Sequence, residues 1–318
     1  MSNFNIGIIG PGRVAHRFAK ASSHLPNIKL HSIFSKDALS AKKFAEQYQK
    51  DTPITSSTDI NAFLSDKNLD AVIVSTPDIH HTEYAIMAAK NGKHLLIEKP
   101  ICTNIDEARA LTDLLDSSKI TCAVGYHLRW HAGLRELANY LHNKFSGEIY
   151  HIDIRWGYEF IHEAKWRKSF TTSQWWSLTT LGTHLVDIVR WYLLPVCGEV
   201  NESKVITTNN RYHTTDETSL IAMRFQTGAT ASIYSSILSH SPLDLTIHTS
   251  EGVITGSNLA GPLNTRIIMT GDQKLSFECK EDLYEKELID LYTSANQGKQ
   301  PEVTAKEGLK NIECLIGF

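Results

Sequence analysis

The chain reads as an α/β protein of two domains: an N-terminal doubly wound parallel sheet, then an α/β domain built on a mainly antiparallel sheet. Three observations predict this. Short apolar runs alternate with helical stretches from Phe4 to Gly125, the pattern of parallel strands joined by covering helices. The glycine loop Gly10-Pro11-Gly12-Arg13-Val14-Ala15 lies between the first apolar run and the first helix. From Lys204 to Met269 the helical spacing gives way to β-rich segments separated by turns, which suits antiparallel pairing. A length of 318 residues agrees with two domains, divided here as 1–123 and 124–318.

In order, Phe4 to Ile9 is a buried strand ending in glycine. Arg13 to Ser23 is a helix with Val14, Phe18 and Ala21 at helical spacing, and Ile28 to Phe34 is a second strand. Ala38 to Tyr48 and Ile60 to Leu64 are helices, and Asp70 to Ser75 is a strand. The Ala-rich helix Thr82 to Asn91 stops at Gly92. His94 to Glu98 is a strand stopped by Pro100, Ile105 to Leu115 a helix, and Thr121 to Gly125 the last strand of the first domain. Beyond it, Leu134 to Phe145 and Leu181 to Leu194 read as helices, with Tyr150 to Tyr158 a strand between them. Strands follow at Lys204–Thr208, Thr218–Phe225, Thr230–Ser235, Leu245–Thr249 and Arg266–Thr270. Asp282 to Asn296 is a helix, and a short one starts near Ala305.

The bulk numbers exclude several classes. A net charge of −3, with Lys and Arg spread along the chain, argues against nucleic acid as a partner. No apolar run is long enough to span a bilayer, and Phe4 to Ile9 is too short for a signal-peptide core, so no membrane is expected and a cytoplasmic protein is. The five cysteines are scattered, without a Cys-x-x-Cys pair, which reads as reduced thiols. Histidines are numerous, with His80-His81 the only adjacent pair, and no metal is expected.

The glycine loop carries the first functional reading. Alone, Gly-x-Gly-x-x-Ala is weak; after a strand and opening a helix it marks a dinucleotide site in a Rossmann domain. Gly10 permits the tight turn, Gly12 lets the backbone approach a diphosphate, and Ala15 allows close helix–strand packing. The helix head offers free N–H groups to the phosphates. At the end of the second strand stand Ser35 and Lys36. Such a pair would welcome a ribose 2′-phosphate, where a carboxylate would instead bind the 2′-hydroxyl. The reading favours NADP(H) over NAD(H). Asp37 is the counter-argument, because a shifted turn would bring its carboxylate to the ribose.

Further segments resemble the glucose–fructose oxidoreductase/inositol dehydrogenase/rhizopine (Gfo/Idh/MocA) family. They are Ser75-Thr76-Pro77-Asp78-Ile79-His80-His81, Glu98-Lys99-Pro100, Gly125-Tyr126-His127-Leu128-Arg129 and Leu181-Gly182-Thr183-His184-Leu185-Val186-Asp187. The Glu251-Gly252 turn and the stretch from Asn296 to Pro301 match as well. The resemblance covers nearly the whole chain, and Glu98-Lys99-Pro100 is its most specific mark. It implies a second domain with a large open sheet through which a homo-oligomer forms. It also implies an NAD(P)-dependent oxidoreductase acting on a hydroxyl or carbonyl carbon of a small polar molecule, a sugar, polyol or derivative. Members of the family also act on diols and tetrapyrroles, and a cofactor-binding sensor or scaffold without turnover is the reading from another class.

The same resemblance assigns site residues. Ser75, Thr76, Pro77 and His81 would border the cofactor, with Glu98, Lys99 and His127 beside it; the family often has Asn at the His127 position. Lys99 resembles the lysine that contacts the substrate oxygen and the nicotinamide ribose, where an ammonium would stabilise a developing alkoxide. His184 resembles the acid/base histidine, and imidazole titrates near neutral pH. Asp187, three residues on, shares its helix face; orienting the imidazole and closing a local network are equally open to it. Thr180 stands where many members have aspartate, which leaves a lysine–aspartate–histidine relay incomplete. Trp175 and Trp176 replace a glycine-rich stretch; stacking on a sugar ring and packing in the core both suit them. Arg129, and Arg167 beside Trp166, are candidates to grip a carboxylate or hydroxyls, and surface salt bridges would explain them equally well.

Overall fold

In the first sheet, strands rich in Val, Ile and Leu carry almost no charge, as a sheet covered on both faces requires. The computed structural model describes residues 4–50, 53–159, 175–211, 215–261, 265–269 and 274–318. The opening elements are β1 (Phe4–Ile9), α1 (Arg13–Ser22), β2 (Ile28–Phe34), α2 (Ala38–Tyr48), β3 (Thr55–Ser57), α3 (Ile60–Ser65) and β4 (Ala71–Val74). They continue with α4 (His81–Lys90), β5 (His94–Glu98), α5 (Ile105–Asp116) and β6 (Cys122–Gly125). Among the described residues the sheet has the order β3-β2-β1-β4-β5-β6, and every pairing is parallel. The order reverses between β1 and β4, the point at which such sheets bind ligands beyond their strand ends.

The sequence explains the helix boundaries. Asp37, Asp59 and Asn104 cap α2, α3 and α5, each accepting two backbone N–H bonds. α1 differs: its cap is Gly12, which has no side chain to bond the helix head.

The second sheet belongs to α6 (Ala132–Asn143), β7 (Ile149–Gly157), α7 (Thr183–Cys197), β8 (Val200–Thr208), β9 (Thr218–Phe225), β10 (Thr230–Ser236), β11 (Ser241–Thr249), β12 (Gly252–Ser257), β13 (Thr265–Ile268) and β14 (Lys274–Phe277). Its described strands run β14-β13-β12-β11-β7-β10-β9-β8. All pairs are antiparallel except β7 with β10. Alternation is clean in β9, where Ser219, Ile221, Met223 and Phe225 are buried while Leu220 and Arg224 point outward. The outward face keeps Ile206, Leu220 and Tyr234 exposed, and the strand registers set them side by side on β8, β9 and β10.

The chain closes with α8 (Leu283–Gln297) and α9 (Ala305–Ile316). Two compact units result: the chain through His127 with Asp282–Leu309, and Leu128–Glu281 with Lys310–Phe318. A single cut after residue 123 does not describe this division. The reason is α8, which returns to pack on α1, its Leu288 and Leu291 joining Phe4, Ile6, Ile8 and Phe18 in one core.

Other differences from the sequence reading are local. β3, β12 and β14 were not expected; β3 and β14 are short and carry no buried apolar pattern. β13 ends at Ile268 rather than at residue 270. α7 runs past Leu194 to Cys197 with Pro195 inside it. Proline lacks the N–H that would bond the Trp191 carbonyl, and His142 Nε2, 3.0 Å from that oxygen, takes its place. Among the described residues no helix is long and apolar enough to cross a membrane.

Candidate cofactor and acid–base residues

The first unit holds the glycine loop. Gly10 has φ +94°, and a Cβ there would lie 3.1 Å from the Ser75 carbonyl oxygen. Only glycine fits both conditions. Gly12 and Arg13 are exposed at the uncapped head of α1, Pro11 is half-buried, and Val14 packs onto the core. Ser75 Oγ donates to the Gly10 carbonyl at 3.0 Å and so anchors the loop to the end of β4. Backbone N–H groups at a helix head that a glycine caps fit the diphosphate of a dinucleotide.

At the end of β2, Lys36 is exposed, its Nζ 5.9 Å from the Tyr84 ring centroid. Asp37 is already engaged. Its carboxylate accepts the Ser40 N–H at 3.0 Å, the Leu39 N–H at 3.4 Å and the Ser40 hydroxyl, and these bonds hold it below the usual carboxylate range. It caps its own helix.

Thr76 and Pro77 follow Ser75 at half-buried positions, leading into a tight turn at Asp78–His80. His81, expected beside the cofactor, is 2% exposed. Its ring nitrogens meet two backbone carbonyls, Pro100 at 2.7 Å and Thr76 at 2.9 Å. Both nitrogens thus meet loop carbonyls. Glu98 is buried at the end of β5, with Oε2 accepting the Lys99 N–H at 3.1 Å, and the Lys99–Pro100 bond is cis. Lys99 is half-buried. His127 stacks on Tyr284 with ring centroids 5.1 Å apart and planes 19° apart. Burial, then the charges of Lys99 and Arg17, push its imidazole down to about 3. The ring is therefore neutral at ordinary pH.

The sequence reading missed the acids and aromatics of α8. Tyr284 and Glu287, one turn apart, share a face of α8. Glu287 is 4% exposed, and neither carboxyl oxygen has a hydrogen-bond partner among the described residues. Burial, followed by the charges of Glu98, Asp290 and Asp282, raises it well above the usual range. The only sequence signal was an acid at a helix position otherwise filled by core residues.

The second unit holds His184, which is 3% exposed on the first turn of α7, 6.0 Å from Trp156 between ring centroids. The helix does not start at Leu181 as expected. A π-helical turn, Leu178–Gly182, carries Thr180 and runs into α7. Such turns often mark functional sites. Asp216, also missed, organises it: its carboxylate accepts the Trp176 N–H at 2.6 Å and the Leu178 N–H at 2.8 Å. Burial raises its carboxyl above the usual range.

Asp187 is bonded elsewhere than to the imidazole. Its carboxylate accepts two bonds from Arg129, at 2.8 and 2.7 Å, and one from Asn311 at 2.8 Å. Of its two roles, the local network is the one built. Arg129, at 4% exposed, is correspondingly a scaffold residue rather than a grip on substrate. Trp176 is fully buried, so its ring packs the core and does not stack on a sugar; Trp175 is half-buried. Trp166 and Arg167 lie outside the described residues. Among the described residues no group of three His, Cys, Asp or Glu is placed to hold a metal.

Two family models match this chain: the oxidoreductase family with an NAD-binding Rossmann fold over residues 4–126, and the GFO/IDH/MocA C-terminal domain over residues 134–255. Among characterised relatives, glucose-6-phosphate 3-dehydrogenase of Bacillus subtilis (strain 168) is 28% identical over 59% of this chain and 53% of that protein. Levoglucosan dehydrogenase of Pseudarthrobacter phenanthrenivorans is 26% identical over 63% and 54%. The chain thus spans about half the length of these relatives. 1,5-Anhydro-D-fructose reductase of Ensifer adhaerens is 21% identical over 96% of this chain and 92% of its own. A levoglucosan dehydrogenase structure in complex with NADH shares the fold with TM-score 0.88 at 18% identity, covering 98% of this chain and 94% of that one. Both halves of the molecule, the glycine loop of the first and the open sheet of the second, therefore match one family, and the chain belongs to the Gfo/Idh/MocA oxidoreductases.

Proposed function

We propose that the chain is an NAD(P)-dependent oxidoreductase acting on a CH–OH group of a small sugar, polyol or derivative. The observation that carries this reading is the glycine loop, anchored by Ser75 at the uncapped head of α1, in a chain that retains Glu98-Lys99-Pro100. The named relatives above, a sugar-phosphate dehydrogenase and a levoglucosan dehydrogenase, support the substrate class. A bound nicotinamide would supply or accept the hydride. Gly10, Gly12 and the α1 head hold the diphosphate, Lys99 stabilises the substrate oxygen as it gains charge, and His184 moves the hydroxyl proton.

NADP(H) is the preferred cofactor in this proposal. Asp37, the one residue that argued for NAD(H), caps α2 with its carboxylate, while Lys36 stays exposed for a 2′-phosphate. The exposed row of Ile206, Leu220 and Tyr234 supports assembly of a homo-oligomer through the open sheet.

A panel of sugars, sugar phosphates, polyols and aldehydes, assayed with both cofactors, tests the activity. Turnover with a sugar or polyol, lost in Lys99→Ala and His184→Ala, is the expected result. Tight cofactor binding with no turnover across the panel would favour a sensor instead. Fluorescence titration should show NADPH bound more tightly than NADH, with the preference reduced in Lys36→Ala; a clear NADH preference overturns the cofactor assignment.

A further inference from the structure

Two backbone segments of the first unit frame the proposed cofactor site: the Ser75-Thr76 loop after β4 and the Lys99-Pro100 turn after β5. One side chain joins them. His81 Nδ1 lies 2.7 Å from the Pro100 carbonyl oxygen and Nε2 lies 2.9 Å from the Thr76 carbonyl oxygen. A carbonyl oxygen only accepts, and a neutral imidazole has one N–H. In a neutral ring one nitrogen would therefore aim its lone pair at an oxygen lone pair at hydrogen-bond distance. An imidazolium donates at both ends and satisfies both oxygens.

We infer that His81 is held as an imidazolium that ties the Thr76 loop to the Lys99-Pro100 turn, a positioning residue for the cofactor site and for Lys99. The role in catalysis rests on the oxidoreductase reading above; the protonation state does not. The tie extends further, because Ser75 bonds the Ile9 and Gly10 carbonyls. Glycine loop, Thr76, His81, Pro100 and Lys99 thus form one connected series. A bond at either ring nitrogen lost with the proton would loosen the diphosphate loop and the lysine together.

The surroundings weigh both ways. His81 is buried and opens α4, and both the loss of water and the helix dipole oppose a cation there. The two carbonyls act against this. On its own segment stand buried Asp78, then Glu83 paired with His80, Tyr84 and Lys90. β5 brings His94 and buried Glu98, with Lys93 just before it and Lys99 just after. α5, which packs on α4, brings Asp106, Glu107 and Arg109. Asp78 and Glu98 are the buried acids of this set.

Imidazole ¹⁵N NMR on the full chain with labelled histidine reads the proton directly. The His81 signals are those lost in His81→Gln, or in His81→Asn if the first variant does not fold. At pH 7.5 both ring nitrogens of His81 should show protonated shifts; one unprotonated nitrogen overturns the proposal. The second measurement is NADPH binding by fluorescence from pH 6 to 9 on the wild-type protein. Affinity should fall as pH rises through the His81 titration seen by NMR, and an affinity that ignores that titration overturns the positioning role. His81→Gln should bind NADPH about tenfold more weakly, lower kcat, and lose the pH-dependent fall. Failure of NADPH to bind at any pH would count against the oxidoreductase reading, while the NMR result would still decide the state of His81.

Discussion

Arg129 and Asp187 form a two-bond ion pair in the second unit, Nε to Oδ2 at 2.8 Å and Nη2 to Oδ1 at 2.7 Å, with both side chains almost wholly buried. Asn311 adds a third bond to the carboxylate and itself accepts from Arg190 at 2.6 Å. Removing one partner leaves an uncompensated buried charge, which costs about 3–5 kcal/mol. Asp187→Ala and Arg129→Ala are each expected to destabilise by that amount in urea unfolding. The double variant should lose clearly less than the sum; additive losses would show that the two side chains do not depend on each other.

Glu287 carries the opposite problem, a buried carboxyl with no partner among the described residues. Its folded-state pKa is raised. Above the ordinary carboxylate pKa the unfolded chain ionises while the folded one stays protonated. Stability therefore falls with rising pH until the folded pKa is passed. Glu287→Gln removes that loss. Its stability relative to wild type should improve between pH 5.5 and 7.5, by about 1 kcal/mol per pH unit. A constant difference would show that Glu287 is ionised in the fold.

For His127 the shift is downward, to about 3. Below the ordinary histidine pKa the unfolded chain gains a proton that the folded ring refuses, so stability is lost as pH falls. His127→Asn should lose about 1–2 kcal/mol less than wild type between pH 6.5 and 5. NADPH binding in that variant should stay near wild type, because one neutral polar group replaces another; a collapse of binding would assign the ring a direct ligand contact.

Gly10→Ala tests the loop. The new Cβ meets the Ser75 oxygen and Thr76 Cγ2, both at 3.1 Å, at a φ of +94° that alanine rarely adopts. Loss of stability of about 1–3 kcal/mol and at least about tenfold weaker NADPH binding are expected. Unchanged binding would place the diphosphate elsewhere.

The Rossmann half was legible because its signals are local. Strand runs such as Asp-Ala-Val-Ile-Val-Ser and the cap residues Asp37, Asp59 and Asn104 act within a few positions of themselves. What escaped depends on partners far along the chain. Asp216 bonds a turn forty residues before it. His142 is what lets α7 continue through Pro195. Asp187 looked equally suited to His184 by helix spacing, and only the arrival of Arg129 and Asn311 decides between them. His81 was placed beside the cofactor by its motif, yet its two ring nitrogens are spent on carbonyls that no spacing rule connects.

The return of α8 to the first unit has a consequence in time. The parallel sheet is fully synthesised once Gly125 is made, but Ile8 and Phe18 await Leu288 and Leu291, which follow the whole stretch from Leu128 to Glu281. At ordinary rates of translation that interval is roughly 8–30 s. Throughout it the nascent N-terminal half carries an uncovered apolar flank, and a fragment ended at His127 would carry it permanently. The nucleotide-binding half of this protein is therefore not a separable module, and its folding waits for α8, which is made only after the whole second-sheet stretch.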